Sequence, residues 1–192
     1  MGDGGPSEAE RSRPTEMLLA AFAAGTLSEP FAVLVASHLQ MKADGPAPAQ
    51  HERGPSPPTP VIDQLNVFMP LALRSFVGRH LGAPEWRTLV PGLEECRIFG
   101  DARAQASFLR CRPGRAIPAH THGGLEAALV LQGGFRDQGG HHGVGDIAVA
   151  DGTVNHRPVA DAAAACIIFV VQEAPVRLTG PLGRVVQRFF RR

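Results

Sequence analysis

Two histidines and a glutamate at fixed spacing constrain the fold of this chain more than any other feature. Gly114, His120, His122, Glu126 and Gly133 form the pattern G-x5-H-x-H-x3-E-x6-G. Because successive residues of a β-strand face opposite sides, both imidazoles point to one side of a strand. The two glycines after His122 form a turn that lets Glu126 fold back onto that side. We therefore expect β-structure that gathers these three side chains.

A third histidine, His156, completes a candidate metal centre. It follows the segment GDIAVADGTVN, which reads as a strand, a turn and a returning strand. Three neutral imidazoles and one carboxylate suit Zn, Fe, Mn or Ni. His141 and His142 are competing ligands, but the glycines on both sides of them favour a solvated hairpin. We predict a metal centre whose ligands are His120, His122, Glu126 and His156.

The second half of the chain has the sequence pattern of an antiparallel β protein. From Trp86 onward, short apolar runs are bounded by Gly, Pro and Asp at a spacing of roughly 8–12 residues, which is typical of a small sandwich or barrel. Cys111 and Cys166 lie in two of these runs, and we interpret them as core residues. The three cysteines include no CxxC pair, which argues against a disulfide framework and a cysteine-based zinc site.

The first half of the chain has helical periodicity. The fold class we predict is therefore α+β and multidomain, with a small helical N-terminal domain linked to an antiparallel β-barrel. The boundaries are a disordered segment at 1–13, a helical domain at 14–42 and 61–82, a Pro-rich linker at 43–60, a barrel at 86–180 and a C-terminal helix at 181–192.

Two helical stripes of apolar residues have two possible roles. They can pack against each other in a small helical core, or they can form a groove for the helices of a partner. Both roles are compatible, because a few short helices bury little surface alone. The candidate partner-binding residues are Phe31, Leu34, Val35, Leu39, Leu73, Phe76 and Val77.

The overall charge excludes two broad classes of partner. With 19 basic and 18 acidic residues, the formal net charge is +1, so nothing in the total charge favours direct binding of nucleic acid or of an acidic membrane surface. The sequence contains no run that approaches the roughly 20 apolar residues of a membrane span. The polar N-terminus is followed by no apolar signal region. We expect a cytoplasmic protein.

The histidine pattern resembles the first motif of the cupin superfamily, at every fixed position from Gly114 to Gly133. The second cupin motif is partly matched: Gly145 and His156 keep their spacing, while Asp151 and Thr153 replace the usual Pro and Gly. The resemblance implies a six- to eight-stranded antiparallel barrel with the metal inside.

Along nearly its full length the chain resembles the ChrR-type anti-sigma factors. Segments that carry the resemblance include PTEMLLAAFAAGTLSEPFAVLVASHLQM, MPLALRSFVGRHLGAPEWRTLVPGLEEC and GPLGRVVQRF. The resemblance implies a helical domain that binds an extracytoplasmic-function sigma factor. It also implies a zinc-binding cupin domain needed for release under singlet oxygen or organic hydroperoxide stress.

One departure from that family lies in the helical domain. Family members bind a second zinc there through an early His and a His-x3-Cys-x2-Cys motif. Here His38 remains, while Arg13, Lys42 and Gly45 stand at the other three positions. One histidine cannot hold a structural zinc, which needs about four ligands. We expect the helical domain to fold without metal or on its partner, and His38 to be an ordinary helix residue.

Two other functions remain open at this stage. A cupin dioxygenase or isomerase would need Fe, Mn or Ni with open coordination positions, and Asp137 and Glu173 are its unplaced acid–base candidates. A degenerate family member would use its helices for another role, such as dimerisation. We favour a non-enzymatic sensor with Zn²⁺, because four protein ligands suit closed tetrahedral zinc; Fe²⁺ or Mn²⁺ is the alternative.

Overall fold

The computed structural model describes residues 8–45 and 68–179 of the chain. Three helices are described, and twelve strands follow them. The helices are α1 (Glu8–Ala23), α2 (Glu29–Ala43) and α3 (Leu71–His80). The strands are β1 (Trp86–Val90), β2 (Leu93–Gly100), β3 (Gln105–Cys111), β4 (His120–Thr121), β5 (Glu126–Gln132), β6 (Gly134–Asp137), β7 (Gly140–Gly143), β8 (Ile147–Ala150), β9 (Asn155–His156), β10 (Val159–Ala160), β11 (Cys166–Gln172) and β12 (Arg177–Leu178).

The strands form one large sheet and two small ones. The large sheet has the order β1-β2-β3-β11-β5-β8, and the small sheets have the orders β10-β6-β7 and β12-β4-β9. Every pairing between these strands is antiparallel. Apolar side chains from the small sheets, such as Phe135 and Ala160, pack with Leu93 and Ile168 of the large sheet. The predicted fold class, N-terminal helices with an antiparallel barrel, is confirmed.

The large sheet is covered on both faces, which explains why its central strand is almost entirely apolar. In β11, Ile168 and Val170 point into the barrel, while Phe169 and Val171 belong to the cluster that includes the helices. The first six residues of this strand are buried. Strands covered on both faces lose the apolar–polar alternation of half-exposed strands. The continuous run CIIFVV is therefore a consequence of the helical layer on the outer face.

The described helices share one core with the barrel. Phe76 of α3 packs with its ring centroid 5.8 Å from that of Phe99 and 6.2 Å from that of Phe169. Of the seven candidate partner-binding residues, six are buried in this shared core, and Leu39 alone is exposed, at 43%. In this structure the packing role therefore applies to Phe31, Leu34, Val35, Leu73, Phe76 and Val77, with the sheet as an additional packing partner.

The predicted disordered segment at 1–13 is wrong for its described part. Helix α1 begins at Glu8 and continues through Pro14, which lies inside the helix and does not start it. The polarity of the segment EAERSR favours disorder, but its Glu, Ala and Arg residues favour a helix. Most of the predicted linker, the predicted short helix near 62–67 and the predicted helix at 181–192 lie outside the described residues.

None of the described helices combines the length and the hydropathy that a bilayer-spanning helix requires.

Candidate metal centre

The three predicted histidine ligands converge on one point inside the barrel. His120 on β4 and His156 on β9 are direct cross-strand partners. The Nε2 atom of His156 lies 3.1 Å from the Nε2 atom of His120 and 3.1 Å from that of His122. Tetrahedral zinc with bonds of about 2.0–2.1 Å to nitrogen holds its nitrogen ligands about 3.3 Å apart. The spacing of the imidazole nitrogens therefore fits a shared metal ion.

Hydrogen bonds at the outer nitrogens fix the tautomers of two of these rings. The Nδ1 atom of His120 donates to the carbonyl oxygen of Pro118 at 2.7 Å, and the Nδ1 atom of His156 donates to Asp137 at 2.8 Å. In the neutral rings the Nε2 atoms then carry lone pairs that face each other without a proton between them. A cation at that position turns this repulsion into ligation, so the arrangement fits a metal.

Glu126 completes the set of four, as the sequence predicted. One potential ligand atom from each of His120, His122, Glu126 and His156 lies within 4.8 Å of the others. Glu126 is the first residue of β5, and the loop before it is held by Glu173. The Leu125 amide donates to the Glu173 carboxylate at 2.9 Å, and the Glu173 amide donates to the Leu125 carbonyl at 2.9 Å. Glu173 therefore positions the ligand loop and lies outside the ligand set.

The electrostatics of the site favour the protonation states that metal binding needs. Burial lowers the pKa of His120 to about 4, so its imidazole is neutral at pH 7. Burial acts to raise the pKa of Glu126. The hydrogen bond from His122 and the charges of His122, His120 and His156 outweigh burial, so the pKa of Glu126 is lowered. Neutral imidazoles and an ionised carboxylate are the forms that bind metals. The Nδ1 atom of His122 is buried and lies 3.3 Å from the Glu126 carboxylate.

Asp137 is a polar neighbour of the centre whose place the sequence did not reveal. It ends β6, and its Oδ2 atom accepts the hydrogen bond from His156. Its Oδ1 atom lies 3.4 Å from His142 Nε2 and accepts from the Gly139 amide at 2.8 Å. Burial acts to raise the pKa of Asp137, but these hydrogen bonds outweigh it and hold the pKa well below its usual range. Only the Gly139-Gly140 turn, which folds β7 back beside β6, could have suggested this contact.

A cavity of about 430 Å³ lies beside the centre. Its wall is mostly apolar and includes Leu109, Phe135 and Ile168, and its polar residues include His120, Glu126 and His156. Pro14 and Thr15 of α1 also line it. A small molecule in this cavity would contact the candidate metal ligands and the first helix together, and the volume of the cavity is in the range of ligand sites in proteins.

The other candidate residues lie away from the centre. His141 is exposed and pairs with Asp161 at 2.8 Å, as the predicted hairpin implied. Cys111 and Cys166 are free thiols in the core. The pKa of the Cys166 thiol is raised to about 12, mainly by burial and secondly by the nearby Cys111. His38 is more than an ordinary helix residue, because its Nδ1 atom lies 2.7 Å from the carbonyl oxygen of Gly145 in the barrel.

The fold and the centre together define a cupin: an antiparallel barrel with three histidines and one glutamate directed inward. Residues 76–175 match the family model described as the ChrR cupin-like domain. The chain is 35% identical to the anti-sigma-E factor ChrR of Cereibacter sphaeroides, over 94% of this chain and 98% of that protein.

The same relationship extends to a solved structure. The crystal structure of Rhodobacter sphaeroides SigE in complex with the anti-sigma ChrR contains a chain with 36% identity and a TM-score of 0.62. The match covers 87% of this chain and 97% of that chain. The protein belongs to the ChrR family.

Proposed function

We propose that this protein is an anti-sigma factor. Its helical part binds an extracytoplasmic-function sigma factor, and an oxidative signal, singlet oxygen or an organic hydroperoxide, acts at the metal centre to cause release. Zn²⁺ is the proposed metal, with Fe²⁺ or Mn²⁺ as the alternative. Since a sigma factor works with RNA polymerase, this function places the protein in the cytoplasm.

The observation that carries this proposal is the extent of the similarity. The relative named as an anti-sigma factor is matched over 98% of its length, so the similarity includes the helices as well as the barrel. A cupin barrel alone would be equally compatible with an enzyme, because the fold supports both functions. The match through the helical part favours the anti-sigma factor over the dioxygenase or isomerase.

The helical layer offers a restricted surface to a sigma factor in this structure. Leu39 on α2 is exposed, and the Gln40 side chain accepts a hydrogen bond from the amide of Leu71, itself 67% exposed, at the start of α3. We propose that these two leucines contact the partner. The six buried candidate partner-binding residues pack beneath this surface. They could contact the partner only if the helices separated from the barrel.

Packing on the barrel supports a helical part that folds without its own zinc. The family's zinc positions in α2 are here a histidine and a lysine that contact the barrel: His38 with Gly145, and Lys42 with Asp146 at 2.6 Å. Apolar residues of α2 and α3 are buried in one cluster with residues of the sheet, and this burial stabilises the helices on the barrel. Metal is therefore required only in the barrel for the proposed function.

Release requires that the oxidised or metal-altered protein bind the sigma factor more weakly than the resting protein does. Oxidation at the centre, or loss of one ligand, changes the charge and geometry of a buried cluster. A loosened centre would change how β4 and β9 pack, because they carry His120 and His156. The helices that rest on the barrel would then respond.

Purification of the tagged full-length protein from its own host tests this proposal, with bound proteins and metal assayed on the same sample. We expect a sigma factor in about equal amount and close to one zinc per chain. Iron with oxygen uptake on small molecules, and no sigma factor, would contradict it.

A matched pair of variants sharpens the experiment. Leu39→Asp places a charge on the proposed contact surface, while Val159→Asp places one at a similarly exposed apolar position on the barrel. We expect Leu39→Asp to weaken sigma-factor binding at least tenfold and Val159→Asp to leave it unchanged. Equal effects of the two variants would exclude the Leu39 surface.

A further inference from the structure

We propose that Asp137 is a positioning residue that fixes His156 for the metal and, through β7, joins the metal centre to helix α2. This inference rests on the proposed metal centre. It adds a residue outside the four ligands, and it gives a physical route between the centre and the helical part.

The hydrogen bond between His156 and Asp137 fixes the tautomer of His156. A carboxylate only accepts hydrogen bonds, so the Asp137 Oδ2 atom, 2.8 Å from His156 Nδ1, requires a proton on that nitrogen. The Nε2 atom of His156 is then left with the lone pair that a metal needs. The side chain of Asp137 is 8% exposed, so water does not compete strongly for this contact. Such carboxylate–histidine pairs orient the ring and strengthen the ligand.

An asparagine at this position would have the opposite effect on the ring. The Oδ1 atom of Asp137 already accepts from the Gly139 amide at 2.8 Å and faces His142. The amide oxygen of Asn would occupy that place, and its NH₂ group would face the Nδ1 atom of His156. That nitrogen would then have to accept, which moves the ring proton to Nε2 and blocks ligation.

A series of polar contacts runs outward from Asp137 to helix α2. His142 lies on β7, which leads directly into the turn at residues 143–146. The Asp146 side chain closes this turn by accepting from the Gly143 amide at 2.7 Å. Its other oxygen contacts Lys42 of α2 at 2.6 Å. Each step is a direct contact, so displacement of β7 is transmitted to α2.

Helix α2 also contacts the backbone of the same turn. The His38 Nδ1 atom lies 2.7 Å from the Gly145 carbonyl oxygen, and a side chain at Gly145 would meet Met41 at 3.5 Å. Gly145 has a φ of +83°, a conformation that glycine adopts most readily. The turn is therefore held by its own backbone and by two polar contacts from α2, those of His38 and Lys42.

The test uses the full-length protein with Asp137→Asn and a matched control, Asp161→Asn. Asp161 accepts from His141 at the same distance of 2.8 Å, but this pair lies at the surface. Zinc affinity is measured by competition with a chelator, and the His156 tautomer in the metal-free protein is read by nitrogen NMR. We expect 10- to 100-fold weaker zinc binding and an Nε2–H tautomer in Asp137→Asn, with no change in Asp161→Asn.

Hydrogen exchange of α2 tests the connection to the helix. Removal of zinc should accelerate exchange in Glu29–Ala43 of the wild type. Lys42→Ala, which is remote from the centre, should keep wild-type zinc affinity and reduce that response. Because Lys42 is half-exposed, this variant is expected to fold even if Asp137→Asn does not.

The possible results separate the inference from the function on which it rests. A wild-type protein that binds no metal would contradict the proposed metal centre itself. A zinc-binding wild type with equal affinity in Asp137→Asn would overturn the positioning role. Exchange in α2 that is insensitive to zinc, or equally sensitive in Lys42→Ala, would overturn the connection to the helix.

Discussion

His120 and His156 face each other across the β4–β9 pair, with their Nε2 atoms 3.1 Å apart and their Nδ1 atoms held by Pro118 and Asp137. Two short strands of two residues each thus carry half of the candidate ligand set.

Replacement of one ligand should remove the metal. His120→Ala or Glu126→Ala leaves three donors in a buried site, and we expect metal content near zero after dialysis, with altered release under stress. Elemental analysis measures the metal, and circular dichroism checks the fold. His141→Ala, at the exposed pair with Asp161, is the control and should retain the metal. Wild-type metal content in either ligand variant would refute the assigned ligand set.

The shared core of helices and sheet should depend strongly on Phe76. Its side chain is completely buried against Phe99 and Phe169, so Phe76→Ala should lower the free energy of unfolding by about 3–5 kcal/mol. Leu71→Ala, at the exposed start of the same helix, should change it by less than about 0.5 kcal/mol. Urea denaturation measures both. Similar values for the two variants would mean that α3 does not pack on the sheet.

Gly133 should resist substitution more than Gly25 does, although both have positive φ angles, +69° and +67°. A Cβ atom at Gly133 would lie 2.6 Å from the carbonyl oxygen of Ala165, whereas one at Gly25 would meet nothing within 4 Å. Both alanine variants bear the backbone strain of about 1–2 kcal/mol. We expect Gly133→Ala to be destabilised by at least about 2 kcal/mol more in thermal and urea denaturation. Equal destabilisation would show that the barrel relaxes around the new methyl group.

Acidification should destabilise the metal-free protein through His120. Burial lowers the pKa of His120 from 6.5 to about 4, so between these values the unfolded chain binds a proton that the folded chain does not. The free energy of unfolding therefore falls as the pH falls through this window, by about 2 kcal/mol between pH 7 and pH 5. Urea denaturation at the two pH values measures this loss.

Two glutamine variants test whether His120 causes this decrease in the free energy of unfolding. His120→Gln should show a smaller decrease between the two pH values, whereas His141→Gln should behave as the wild type does. An unchanged decrease in His120→Gln would assign the pH dependence to other groups.

The sequence predicted the fold class and the four-residue cluster because both depend on local patterns. The alternation in His120-Thr121-His122 and the glycine turn before Glu126 are short-range features. Asp137 was not predicted as a neighbour of His156, because that contact joins two hairpins through tertiary packing. The same limit applies to Lys42 and Asp146, which are 104 residues apart.

The helical part shows a second limit of reading a sequence. An apolar stripe reveals that a helix face will be buried, but not against what. The stripes that contain Leu34, Val35, Phe76 and Val77 therefore fit helix packing and partner binding equally well, and neither stripe identifies the sheet of the barrel as the packing surface. The unbroken apolar run of β11 was the available indication, because a sheet with one solvated face would have alternated.

The cavity beside the centre has a wall made partly by Pro14 and Thr15, so its volume depends on the placement of α1. Displacement of that helix would admit a guest larger than the cavity, and a helix drawn away by a binding partner would enlarge the space available to a guest. Occupancy of the barrel and the position of its first helix are therefore thermodynamically linked, and each must change the other's equilibrium by the same factor.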